Sequence, residues 1–94
     1  MEEEKSIVDM YLAAALLAYG SDIVRVDRAD KKRQRFIFRE KEVQKILVND
    51  GSGYSEVNSP TIGEIEMYFL SRKLAYPPSY PDAIRSIKSV IHSV

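Results

Sequence analysis

Ile23-Val24-Arg25-Val26-Asp27, followed across a polar loop by Gln34-Arg35-Phe36-Ile37-Phe38-Arg39, is the stretch whose reading decides the fold. Both segments alternate with period two and are rich in β-branched or aromatic residues, the pattern of half-buried strands. Together they predict an antiparallel β-hairpin. With Val26 opposite Phe36 and Val24 opposite Phe38, those four side chains share one face, because alternate strand residues point the same way. Arg25, Asp27, Arg35, Ile37 and Arg39 then share the other. A two-stranded hairpin is not stable alone, so its apolar face is expected to pack on helices, the first and the last.

Upstream, residues 3–19 read as a helix: residues 13–18 are alanines and leucines, strong helix formers, and Gly20 stands where a left-handed C-terminal cap belongs. Ile7, Met10, Tyr11, Ala14 and Leu17 form one helical stripe, and Val8, Leu12, Ala15 and Tyr19 a second beside it. Apolar groups so widely spread make this helix central or bring it against another copy of the chain. Downstream, residues 40–48 carry Val43, Ile46 and Leu47 and suit a short helix or a third strand. Residues 49–60, with Asp50-Gly51, Ser52-Gly53 and Ser59-Pro60, read as a mobile loop and a place for an insertion.

Thr61 and Glu64 have capping-box spacing ahead of a helix expected to run to about Lys73. Pro77, Pro78 and Pro81 then forbid helix until the third proline opens a final one over residues 82–92, with Ala83, Ile84, Ile87, Val90 and Ile91 inward. The expected fold is a single α+β domain over residues 1–94: an N-terminal helix, a two-stranded antiparallel β-hairpin, a short helix or strand, then two C-terminal helices.

Apolar residues at 45% and charged residues at 30% suit a globular domain rather than disorder. The chain has no cysteine, so disulfides, thiolate metal sites and cysteine nucleophiles are excluded. The longest apolar stretch, residues 10–19, is about half a membrane span, and Glu2-Glu3-Glu4 has the wrong sign for a signal peptide. A cytoplasmic protein without membrane contact is the expectation.

Few residues point to chemistry. His92 is the sole histidine and has no cysteine or second histidine with which to share a metal. Glu64 with Glu66 and Glu40 with Glu42 lie two apart and diverge on a helix, so they make no acid–base dyad. Gly51-Ser52-Gly53 lacks the lysine of a phosphate-cradling loop. Tyr76-Pro77-Pro78-Ser79-Tyr80-Pro81 looks like a polyproline ligand, yet each proline already has a task between two helices. Neither catalysis nor a cofactor is expected.

The sharpest feature is electrostatic. Residues 25–41 hold eight basic residues against Asp27, Asp30 and Glu40, a net of +5 in a chain whose formal charge is zero. The hairpin is thus a candidate nucleic-acid or anion-binding element, with Arg25, Arg35 and Arg39 on its open face and Lys31, Lys32 and Arg33 at its tip. Against this, Asp27 can pair across the strands with Arg35, and basic residues protect exposed sheet edges from aggregation.

Tyr11-Leu12-Ala13-Ala14-Ala15-Leu16-Leu17-Ala18-Tyr19-Gly20, then Phe36-Ile37-Phe38, then Ser86-Ile87-Lys88-Ser89 resembles a group of small bacteriophage and prophage proteins catalogued as a domain of unknown function. Residues 49–60 are longer than that pattern expects. The resemblance implies a viral or mobile-element setting, with a host cytoplasm as location. Short non-enzymatic proteins there act by binding a host protein, a nucleic acid or a small signalling nucleotide. The functional expectation is a non-enzymatic interaction module that binds a protein partner, including a host-directed or anti-defence role. It is expected to self-associate into a homo-oligomer through its apolar first helix. Nucleic-acid binding by the basic hairpin is the alternative, and a small anionic or nucleotide ligand the second.

Overall fold

Asp9 ends one element and starts another. Its Oδ1 accepts hydrogen bonds from the backbone N–H groups of Tyr11 (2.8 Å) and Leu12 (3.1 Å), which satisfies donors that a helix's first turn leaves unpaired. In a computed structural model, which describes residues 3–29, 33–40, 43 and 45–92, the chain before this cap is a strand, β1 (Glu3–Ile7), and the chain after it is helix α1 (Met10–Ala18). The expected helix over residues 3–19 is therefore corrected at its start. Residues 3–5 are charged and residues 6–7 bring only one apolar side chain, so nothing there marked a strand until a partner strand was in place.

The predicted hairpin forms as β2 (Ile23–Asp27) and β3 (Arg35–Glu40), with Val26 opposite Phe36 and Asp27 opposite Arg35. A bulge between Ile23 and Arg25 changes the rest of the register. Ile23, not Val24, faces Phe38, and Val24 is left 41% exposed. β1 pairs antiparallel with the far side of β3, placing Ile7 opposite Phe36 and Ser6 opposite Ile37. β3 is thus the centre of a three-stranded sheet ordered β1-β3-β2.

A second hairpin follows, β4 (Lys45–Asn49) and β5 (Tyr54–Asn58). It resolves the short helix or strand of residues 40–48 as a strand and replaces the loop expected over residues 49–60. Along β5 only Ser55 and Val57 are part-buried, so its sequence carries almost no apolar alternation. Leu74 bridges to Val48, and Asn49 N–H to Lys73 C=O (2.6 Å) with Ala75 N–H to Leu47 C=O (2.9 Å) line residues 73–75 along the other edge of β4.

Helix α2 (Ile62–Leu70) carries the anticipated capping box, Thr61 Oγ1 accepting from Glu64 N–H (3.2 Å) and Glu64 Oε1 from Thr61 N–H (3.1 Å). Glu40, at the end of β3, also accepts from Ile62 N–H (3.3 Å) and so joins the first sheet to this helix. Helix α3 (Tyr80–His92) begins just ahead of the third proline, two residues earlier than expected, with Ala83 and Ile87 fully inward and Ile84, Val90 and Ile91 beside them. The architecture is α+β, three helices with two small antiparallel sheets.

α1 sits at the centre. Ala13, Ala14, Ala15 and Leu16 have no exposed surface, and they share one apolar cluster with Phe36 and Phe38 of β3, Ile46 of β4, Ile62 and Ile65 of α2, and Ile87 of α3. Its wide apolar girth is thereby filled within one chain. Because side chains with only a Cβ let neighbours approach closely, enlarging one should strain the packing. Ala14→Leu is expected to lower unfolding free energy by about 1 to 3 kcal/mol in urea denaturation, and a neutral result would show that α1 is not closely packed on that face.

Candidate functional site

The basic hairpin is held differently from the sequence expectation. Arg25 Nη1 lies 2.8 Å from Glu4 Oε1, and Arg39 Nη1 lies 3.8 Å from Asp22 Oδ2. Both carboxylates come from outside the expected strand pair, one from β1 and one from the residue before β2. Asp27 faces Arg35 in register, yet its Oδ1 accepts from Ala29 N–H (2.9 Å) in a local turn. Arg28 donates to the C=O of Val90 in the last turn of α3, where a cation complements the helix dipole.

Ile37 lies on the arginine side as expected. It is nevertheless only 6% exposed. Arg33 and Arg35 are exposed, and Lys31 and Lys32 lie outside the described residues. The arginine row is consequently interleaved with acid, which reduces its attraction for a polyanion.

The exposed apolar side chains lie mainly elsewhere. Leu47 on β4 and Tyr54 on β5 are 40% and 70% exposed, and Tyr76, just past residues 73–75, is 49% exposed. Around them is a groove of about 400 Å³, with Leu74 and Ala75 as its most buried lining and Asn49 and Arg72 as its polar groups.

Several local devices fix this region. Tyr19, the residue that caps α1, donates its hydroxyl to the C=O of Ala75 and accepts from Leu47 N–H (3.4 Å), so it ties residue 75 and β4 to the central helix. Burial pushes the Tyr19 hydroxyl pKa up, against the lowering effect of the Leu47 bond. Tyr76 stacks on Tyr80 with ring centroids 4.4 Å apart at 33°. Tyr80 Oη donates to Tyr11 C=O (3.3 Å) and Ser79 Oγ to Ala18 C=O (3.4 Å), so the proline-rich segment is anchored to α1.

Arg72 occupies an unusual backbone position. Both α1 and α2 end in a Schellman arrangement: Gly20 and Ser21 N–H bond to Leu17 and Leu16 C=O, and Arg72 and Lys73 N–H bond to Phe69 and Tyr68 C=O. The residue following the cap is left-handed in each, with φ of 99° at Gly20 and 61° at Arg72. Glycine accepts that conformation freely. Arginine adopts it at a cost of about 1 to 2 kcal/mol.

The turn between β4 and β5 is organised by Asp50. Its Oδ1 accepts from Ser52 N–H (3.0 Å) and Ser52 Oγ (2.9 Å), and its Oδ2 from Ser55 Oγ. Lys45 Nζ meets Glu56 Oε1 at 3.1 Å across the strands.

The free edge of β5 follows from strand alternation. Leu47 and Asn49 use their backbone groups toward Tyr19 and residues 73–75, so Ile46 and Val48 turn theirs toward Val57 and Ser55 of β5. Tyr54, Glu56 and Asn58 then direct their N–H and C=O groups away from β4. Among the described residues, nothing pairs with them.

None of Leu47, Asn49, Tyr54 or Arg72 stood out in the sequence as a site, and Tyr76 did so only within the polyproline-like stretch of residues 76–81. Asn49-Asp50-Gly51 was a turn signal that could have exposed the second hairpin, and Arg72 was accounted for by the helix dipole. Among the described residues, no group of His, Asp or Glu is placed to hold a metal, and no helix is long and apolar enough to cross a membrane. No family model, curated protein or solved structure matches the chain.

The Ser55 hydroxyl first, and then the N–H and hydroxyl of Ser52, lower the Asp50 pKa to about 2. A carboxyl depressed in the folded state stabilises the turn above its unfolded pKa, and that contribution is lost as pH falls from about 4 toward 2. Amide shifts of residues 50–55 followed by NMR are expected to titrate with a midpoint of about 2. A midpoint at the ordinary aspartate value of 3.8 would contradict the serine contacts.

Proposed function

We propose that the chain is a non-enzymatic interaction module that associates by strand addition along β5, with a second copy of itself as occupant of that edge. A cytoplasmic setting belongs to this reading. So does the phage or mobile-element origin implied by the sequence resemblance, together with engagement of a host-directed protein partner.

The carrying observation is the contrast between edges. β1 is guarded by the charged run Glu3-Glu4-Lys5 and β2 by its bulge, two standard protections against edge-to-edge pairing. β5 has neither. It is regular over its whole length, and its one charge is matched by Lys45. An antiparallel two-fold pair centred on Glu56 lets the outward N–H and C=O groups of Tyr54, Glu56 and Asn58 all find partners. The facing Glu56 carboxylates each keep their own Lys45. The apolar girth of α1, which suggested association in the sequence, is used inside the chain, so the interface moves to this sheet.

Sedimentation velocity across the micromolar range is expected to give a concentration-dependent monomer–dimer equilibrium. Glu56→Pro, which removes an outward N–H that β4 does not use, should fold and remain monomeric. Lys45→Ala leaves two like charges opposed and should weaken association about fivefold. A clean monomer for the unaltered chain at every concentration would refute the proposal, as would dimerisation unaffected by both substitutions.

A further inference from the structure

We infer that the groove beside β4 binds an organic anion with a planar aromatic ring, the ring lying against tyrosine and the anionic group meeting Arg72. This goes beyond strand addition, which uses the backbone edge of β5 rather than the face of the sheet.

Shape and charge support it together. A groove of about 400 Å³ is within the range of small-molecule sites, and it combines an apolar lining with a few polar groups. Among the described residues, Arg72 is the only charged one lining it. Among the described residues the guanidinium has no carboxylate partner, unlike those of Arg25 and Arg39.

The two carboxylates of the β4–β5 hairpin already have partners, Asp50 in Ser52 and Ser55 and Glu56 in Lys45. Among the described residues the groove thus presents a forked cation without a carboxylate partner, and a guanidinium takes a carboxylate or phosphate through two parallel hydrogen bonds. Asn49 adds a second donor: its Oδ1 accepts from Gly51 N–H (2.9 Å), which leaves its Nδ2 for a ligand.

The aromatic part of the ligand is chosen by the tyrosines. Tyr76 is held in place by its stack on Tyr80, and Tyr54 stands largely exposed on β5. A fixed ring and an exposed ring beside an unpaired guanidinium favour a planar group over an aliphatic one.

The backbone at Arg72 sharpens the argument. The equivalent position after α1 is glycine, and arginine at φ 61° is strained there. Helix termination alone would be served better by glycine, so an arginine at this strained position favours a task for its side chain.

Two sources share this chemistry, a nucleoside monophosphate and an aromatic carboxylate such as a peptide's C-terminal aromatic residue. NMR titration of the full chain with adenosine 5′-monophosphate and with N-acetylphenylalanine separates them, with adenosine and inorganic phosphate as controls. At least one charged aromatic probe is expected to shift the amides of Leu47, Asn49, Tyr54 and residues 72–76. Each control should bind at least about tenfold more weakly, because it supplies only half of the recognition.

Arg72→Gly should lose at least about tenfold in affinity for that probe while melting no lower than the unaltered chain, and its self-association should be unchanged. Tyr54→Ala, at an exposed position, should weaken the same probe without altering the fold. The inference is overturned if neither charged aromatic probe shifts these amides at millimolar concentration, or if Arg72→Gly binds as well as the unaltered chain.

Discussion

The structure depends on the complete burial of the middle of one short helix. α1 presents Ala13, Ala14, Ala15 and Leu16 with no exposed surface, so apolar groups from other elements must close round it on every side. Three consecutive alanines permit this because they keep the helix thin enough for close approach. Many weak dispersion contacts then add up in a domain of only 94 residues, where a small core leaves little stability to spare.

Polar links carry that centre outward. Asp9 stops the helix at one end and leaves the preceding residues free to pair with β3. At the other end Tyr19 joins Leu47 and residue 75, while Glu40 joins the first sheet to α2. The second sheet is consequently anchored along β4, and the edge and face it turns away from the core remain open. Interaction surfaces placed in this way are positioned by a rigid scaffold without disturbing it.

Much of the fold was legible because its determinants are local. The Thr61 and Glu64 capping box, the proline start of α3, and the Val26 and Phe36 pairing each depend on residues near in sequence or on a single alternation. The bulge at Val24 was hidden because Ile23 and Val24 are both β-branched, so period two does not say which one turns inward. β1 and β5 were missed because an edge strand with a single inward apolar residue, Ile7 in one and the part-buried Val57 in the other, has no pattern of its own. Its partner strand supplies the evidence for it. The candidate site was harder still, since Arg72 and Tyr76 reach Leu47 and Tyr54 only through the pairing of residues 73–75 with β4.

The arginine row drew attention in the sequence because charge is visible there and the ion pairs of Arg25 and Arg39 are not. Glu4 and Asp22 come to it from outside the expected strand pair. Attention then shifts to β5, whose two backbone edges are predicted to behave differently. Amide hydrogen exchange resolved by residue at low and high protein concentration tests this most directly. The account requires Ser55 and Val57 to be protected at both concentrations, and Tyr54, Glu56 and Asn58 to gain protection only at the higher one. If those three amides exchange equally fast at both concentrations, β5 is not where the chain associates.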